Sequence, residues 1–251
     1  MNTIQITETQ STGYQVGENV IHMSTNKNIM EKPKVKKIKL RTKITEPVEP
    51  LKLKSDIELA KSYLMNKQGR YSDNQLRDYA LFCVGINLSR RITDLLKRTV
   101  KDFLNPNGTF RNEFEMITGK KQKQECVIIS QNTKDVLSLY FKANPELLED
   151  RDNHLFPTRE SNSMTRQTAF RIMKDVENEI NKTKTDDNDK IHIATHSLRK
   201  TKAFWYIQNH KDDQYAILKV SHALGHNSQS TTMHYLGLDK KELLDYYSET
   251  I

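Results

Sequence analysis

His196, Arg199, His226 and Tyr235 follow one another within a single stretch near the C-terminus. Their types and spacing suit one kind of chemistry. His196 and Arg199 are three residues apart, so on a helix they share a face and present two phosphate-binding donors in one direction. Gly225-His226 ends an apolar run (Ile217, Leu218, Val220, Ala223, Leu224), where a glycine commonly stops a helix and the next side chain lies just beyond it. Tyr235 comes nine positions later, after the polar segment from Asn227 to Thr232, and so belongs to a new element able to fold back. Displacement at a phosphodiester gathers negative charge on the phosphoryl oxygens, which arginine meets with a planar pair of donors and histidine with a further hydrogen bond. A tyrosine hydroxyl can attack and hold a covalent intermediate. With an ordinary pKa of about 10 it needs cationic neighbours to lose its proton.

Taken together, H-x-x-R, then L-G-H, then Y nine positions on resembles the catalytic signature of the tyrosine recombinases, the phage-integrase family. These enzymes cut and rejoin DNA through a 3′-phosphotyrosyl intermediate. The upstream segment Gly85-Ile86-Asn87-Leu88-Ser89-Arg90-Arg91-Ile92-Thr93-Asp94-Leu95-Leu96 resembles the family's first motif. The resemblance implies that Tyr235 is the nucleophile and that Arg91, Arg199, His196 and His226 stabilise the transition state and help move the proton. Asp94 takes the place of the acidic residue that braces the site. The family's general-acid lysine sits in a β-turn; Lys120 in Gly119-Lys120-Lys121-Gln122-Lys123 fits it best, with Lys121 and Lys123 as alternatives, because Ile117 stands where many relatives have a lysine. Lys121 and Lys123 otherwise rank as DNA contacts, and a lysine-rich hairpin tip is also consistent with plain solvation.

The elements that must position these groups are legible in outline. The 251 residues carry a net charge of +8 with a pI near 9.2, which favours a polyanionic partner. Residues 1–26 hold no lysine or arginine and read as disordered, while Lys32 to Lys43, including Lys36 and Lys37, form a basic run followed by Pro47 and Pro50. Residues 1–50 are therefore expected to be an arm and linker whose lysines contribute salt-dependent phosphate contacts, and 51–251 the catalytic domain. Ser55-x-x-Glu58 has the form of a capping box opening a first helix, and a second is expected from Asp73 to about Asn87. Segments 110–117 and 124–130 read as two strands after the Asn105-Pro106-Asn107-Gly108 turn. Asn132 or Thr133 is expected to cap a helix through Phe141, and Met164 to Ile180 gives another, burying Ala169, Ile172, Met173, Val176 and Ile180. That helix also resembles one that the family lays against DNA, making Arg166 and Arg171 candidate phosphate contacts.

The expected fold is α+β: a mainly helical domain with a small antiparallel sheet. Cys83 and Cys126 read as reduced core thiols of a cytoplasmic protein, and no apolar run approaches the roughly 18 residues of a membrane span. His192 and His196 stand four apart, but a β-branched run argues against one helix carrying both, and no metal is expected. The family's reaction needs no cofactor, since the phosphotyrosyl bond conserves energy and arginines replace a metal cation. It implies double-stranded DNA as substrate, a homo-oligomer (dimer or tetramer) on it, with or without an accessory protein, and a bacterial, phage or plasmid origin. Two features depart from the family. Only a short segment precedes the first catalytic helix, as in compact, catalytic-domain-only relatives, and Arg199 to His226 spans a few extra positions, expected in a loop near Asn209 to Gln214. The departures leave room for a type IB topoisomerase-like enzyme, or for a DNA-binding regulatory protein with little cleavage. Residues after Leu238 suggest a short amphipathic helix.

Overall fold

Helix α1 (Lys54–Asn66) starts directly from an extended segment, Val48 to Leu53, that is bonded to a helix near the other end of the chain. In this computed structural model the described residues are 48–67, 74–118, 123–159 and 161–238. Most of the expected arm, with Lys36 and Lys37, lies outside them, as do Lys120, Lys121, the Lys123 side chain and the segment after Leu238. The N-cap of α1 is Leu53, with no side-chain cap, so the expected Ser55-Glu58 capping box does not form. The helix begins two residues earlier than that box requires, which places Ser55 inside the first turn. Glu58 pairs instead with Lys61 at 2.7 Å.

Helix α2 (Gln75–Leu88) is the central element, packed on α1 and on two helices that follow later. Its buried residues include Ala80, Leu81, Phe82, Cys83, Val84 and Leu88, more than one stripe, while Leu76 and Tyr79 are only half-buried at its edge. The helix ends at Ser89, whose φ of 55° is left-handed and turns the chain into Arg90 and Arg91. Two single-turn helices follow, α3 (Ile92–Leu95) and α4 (Val100–Phe103).

Strands β1 (Glu113–Thr118) and β2 (Lys123–Ile128) pair antiparallel, with Phe114 opposite Val127 and Glu115 opposite Cys126. Alternation along the strands turns Phe114, Met116 and Val127 into the core. It turns Ile117, Cys126 and Ile128 outward, so Cys126 is exposed, with its Sγ 3.2 Å from Glu113, and is not the core thiol expected. Helix α5 (Gln131–Ala143) is capped by Ser130, whose hydroxyl accepts from the Thr133 amide, and not by Asn132 or Thr133; Thr133 lies inside the helix and is fully buried. Helix α6 (Arg166–Lys182) begins after Thr165, whose hydroxyl accepts from the Thr168 amide. It buries the five apolar residues that the spacing selects.

Helix α7 (Thr195–Asn209) packs its first half on α2 and its second on α8 (Ala216–Leu224) and α9 (Gln229–Leu236). His192 precedes α7, so it and His196 share no helix. The main core takes in Leu81, Phe82, Phe103, Tyr140, Phe156 and Leu198 among others. A small second cluster, Ala203, Val220, Leu224 and Leu236, holds α8 and α9 to the end of α7. This is the mainly helical α+β fold with one small antiparallel sheet that the patterning predicts.

Candidate active site

Three separate parts of the chain converge on α7. At its start the Ser197 hydroxyl accepts from the Ala194 amide at 3.1 Å, satisfying one donor ahead of the first turn. His196 then projects at the exposed edge, while Arg199, one turn on, is 6% exposed and donates to the Leu224 carbonyl at 2.6 Å. That bond ties the last turn of α8 to the middle of α7. From the other side, the hydroxyl of left-handed Ser89 donates to the Arg199 carbonyl at 3.2 Å, which fixes the turn carrying Arg91 against the same helix. Gly85 allows this approach: a Cβ at that position would stand 2.6 Å from Leu198 Cδ1.

Arg91 is the N-cap of α3 and exposed. With Thr93 from α3, Arg166, Gln167 and Phe170 from α6, and Thr195 and His196 from α7, it lines an open cleft of about 680 Å³. Gly225, with φ 65°, stops α8 and releases His226 beyond it. Ser228 caps α9 by accepting from the Thr231 amide, and α9 brings Tyr235 back so that its ring meets His226 edge-on, 5.1 Å between centroids at 78°. The Lys200 ammonium stands 4.4 Å from the centre of the tyrosine ring.

A buried hydroxyl relay sets the His226 ring. Ser221 donates to the Ser228 carbonyl at 2.9 Å; its oxygen lies 2.6 Å from Thr232 Oγ1, which is 2.9 Å from His226 Nδ1. Each hydroxyl has one proton to give. Ser221 gives its own to the carbonyl, so Thr232 must donate to Ser221 and His226 Nδ1–H must donate to Thr232. The neutral imidazole therefore keeps a bare Nε2.

The electrostatics follow from burial and from gathered cations. Desolvation, with Arg199, Arg91, Arg166 and Lys200 adding to it, holds the His196 pKa below its ordinary value. His226 is lowered in the same way by desolvation, Arg199 and Arg91. Tyr235 is raised by burial, which outweighs the opposing pull of Arg199 and Arg91. At rest the site thus holds neutral histidines, a protonated phenol and uncompensated arginines, an arrangement suited to an incoming anion.

Of the residues singled out from the sequence, Arg91, His196 and Arg166 line the cleft, while Arg199, His226 and Tyr235 are not part of its lining and are linked through the Arg199–Leu224 bond and the His226–Tyr235 ring contact. Among the described residues the Asp94 carboxylate makes no hydrogen bond or ion pair; the Asp94 amide donates to the Arg91 carbonyl at 2.9 Å. Arg171 is exposed on α6, 3.4 Å from Thr168, and is not part of the cleft lining. Lys200, Thr232 and Ser221 escape a sequence reading. Lys200 follows His196 by four positions, a helical spacing that flags a shared face; no sequence signal marks the other two. Among the described residues no group of three His, Cys, Asp or Glu side chains is placed to hold a metal ion, and no helix is long and apolar enough to cross a membrane.

The chain resembles known proteins in sequence and in fold. The chain is 30% identical over 194 residues to the Bacillus subtilis (strain 168) protein called "Probable integrase/recombinase YoeC", covering 77% of this chain and 91% of that one. Its fold is similar to that of the XerH site-specific recombinase, in a complex with a palindromic difH substrate (TM-score 0.57, 20% identity), over 81% of this chain and 53% of that one. It is similar also to the XerA recombinase (TM-score 0.56, 18% identity), over 82% and 66% respectively. This chain thus spans about half of the XerH chain. Residues 58–242 match the model of the phage integrase family, and the chain belongs to that family, the tyrosine recombinases.

Proposed function

We propose that the protein is a site-specific DNA recombinase that breaks and rejoins strands through a 3′-phosphotyrosyl intermediate on Tyr235. The observation that carries this reading is the placing of Tyr235 beside His226 and Arg199, three residues from three successive elements joined by the Arg199–Leu224 bond and the edge-on ring contact. A phosphodiester seated in the cleft would meet Arg91, His196 and Arg166 from one side and Arg199 from the other. The Tyr235 oxygen then forms a bond to phosphorus as the bond to the 5′-oxygen breaks. The phenol proton passes to a neutral acceptor, for which the bare Nε2 of His226 is suited, and the 5′-oxygen takes a proton from a lysine of the β1–β2 turn, Lys120 or its neighbours Lys121 and Lys123. Asp94 contributes through its backbone, its amide donating to the Arg91 carbonyl within the arginine-bearing turn. The substrate is double-stranded DNA, gripped additionally by Arg166 and Arg171 on the exposed face of α6 and by Lys36 and Lys37 of the arm. Strand exchange requires two or more copies on DNA, with or without an accessory protein, in the cytoplasm.

The test is a nicked suicide duplex carrying a site selected by binding, incubated with wild type and with Tyr235→Phe and run on a denaturing gel. A slow-migrating adduct with wild type alone, at equal DNA affinity, is expected. Tight, specific binding without an adduct would favour a regulatory DNA-binding protein of the same fold. Relaxation of supercoiled DNA by a lone protomer would favour a topoisomerase-like enzyme.

A further inference from the structure

The extended segment ahead of α1 lies across α7 and is held there by four hydrogen bonds. The Glu49 amide donates to the His192 carbonyl at 2.8 Å and the Leu51 amide to Thr201 Oγ1 at 2.9 Å. Trp205 Nε1 donates to the Leu51 carbonyl at 2.9 Å, and Lys200 Nζ to the Val48 carbonyl at 2.8 Å. The first three hold the strap to α7 and to the residues just ahead of it. The fourth reaches the active site, because Lys200 is the neighbour of Arg199 and its ammonium also stands over the Tyr235 ring.

Lys200 is 8% exposed. Burying an ammonium is costly unless its charge and protons find partners. Here no carboxylate is within salt-bridge distance among the described residues; the partners are one carbonyl of the strap and one aromatic face. The ammonium therefore gains from Tyr235 only if the ring lies beneath it, and the ring is held where the strap fixes the ammonium. Tyr235 otherwise meets His226 edge-on and rests on a small apolar cluster at the end of α7.

We propose that Lys200, clamped by the Val48–Leu51 strap, is a positioning residue that holds the Tyr235 ring in its attacking orientation, so that the state of the N-terminal strap is read at the nucleophile. The inference rests on Tyr235 being the nucleophile. Lys200 itself exchanges no proton in this role; it lies over the ring face.

The experiment uses the full chain and three variants. Lys200→Met keeps the length of the stem but loses the charge and the bond to Val48. Lys200→Arg keeps a cation able to stack on the ring. Trp205→Phe loosens the strap at Leu51, five residues along α7 from Lys200. Single-turnover adduct formation on the suicide duplex is expected to slow about tenfold in Lys200→Met, to recover most of that loss in Lys200→Arg, and to slow in Trp205→Phe, with DNA affinity unchanged in all three. Hydrogen exchange is the second readout: α9 amides should exchange faster in Lys200→Met while those of α2 and α5 do not change. A wild-type adduct rate in Lys200→Met, no recovery in Lys200→Arg, or a wild-type rate in Trp205→Phe would each overturn the proposal. If wild type itself forms no adduct, the nucleophile reading fails separately. Exchange in α9 then decides whether Lys200 holds the tyrosine, unchanged protection in Lys200→Met being the overturning result.

Discussion

Replacing Thr232 by valine tests the proton relay behind the active site. Thr232 is fully buried, and its hydroxyl stands between Ser221 at 2.6 Å and His226 Nδ1 at 2.9 Å. Valine keeps the branched shape and removes both bonds. Each buried hydrogen bond contributes about 1 kcal/mol net, and a group left unpaired costs about 1–3 kcal/mol. Two facts reduce the sum. Ser221 keeps its donor bond to the Ser228 carbonyl, and His226 is only half-buried, so water can reach Nδ1. The expected loss is about 1–2 kcal/mol, which for a domain of this size lowers the melting temperature by about 2–8 °C. The larger effect falls on chemistry. Without Thr232 the other neutral tautomer of His226, protonated on Nε2, becomes populated and the ring is free to turn, so Nε2 is no longer held bare. Adduct formation should slow several-fold to about tenfold, while Thr232→Ser, which keeps the hydroxyl, stays near wild type. Nitrogen NMR of labelled histidine reads the tautomer directly, and thermal unfolding and the suicide duplex supply the other readouts. If Thr232→Val leaves the His226 nitrogen shifts unchanged, or if valine and serine slow cleavage equally, the relay as drawn is wrong.

Two further outcomes follow from the same geometry. The His196 and His226 pKa values are lowered in the free protein by desolvation and by the arginines, so both rings contribute stability that is present above the ordinary histidine value of about 6.5 and lost as pH falls through the lowered folded values. A bound phosphate reverses the local field and raises both, so DNA affinity should increase on acidification below about pH 6.5, by up to about one proton per ring; His196→Gln should flatten the slope measured by fluorescence anisotropy, and an unchanged slope would exclude His196 from the phosphate. Gly85→Val places side-chain atoms where even a Cβ would stand 2.6 Å from Leu198, so overpacking should cost about 1–3 kcal/mol and push α2 from α7, separating Arg91 from Arg199; an unchanged urea midpoint would refute that contact.

The uneven legibility of this site has a physical cause. Arg91, His196, Arg199, His226 and Tyr235 stand out because the proposed reaction restricts their types and the family signature their order, and the five buried residues of α6 stand out because helix period and burial select them jointly. Helix ends were less readable: the S-x-x-E form at Ser55 is present, but Leu51 is pinned from outside by Thr201 and Trp205, and that tertiary anchor sets where the helix begins. Cys126 fails for a related reason, since an apolar run does not reveal which face of a two-stranded sheet the core covers. Thr232 and Lys200 were hidden more deeply. A threonine in a polar segment and a lysine in a basic helix are each ordinary, and both acquire meaning from partners 6 to 152 positions away in sequence. The sequence can nominate groups that touch the substrate, because chemistry restricts their identity. It is silent on the groups that hold them, because any donor at the right place in space serves, and that place exists only once the strap, α7 and α9 have met.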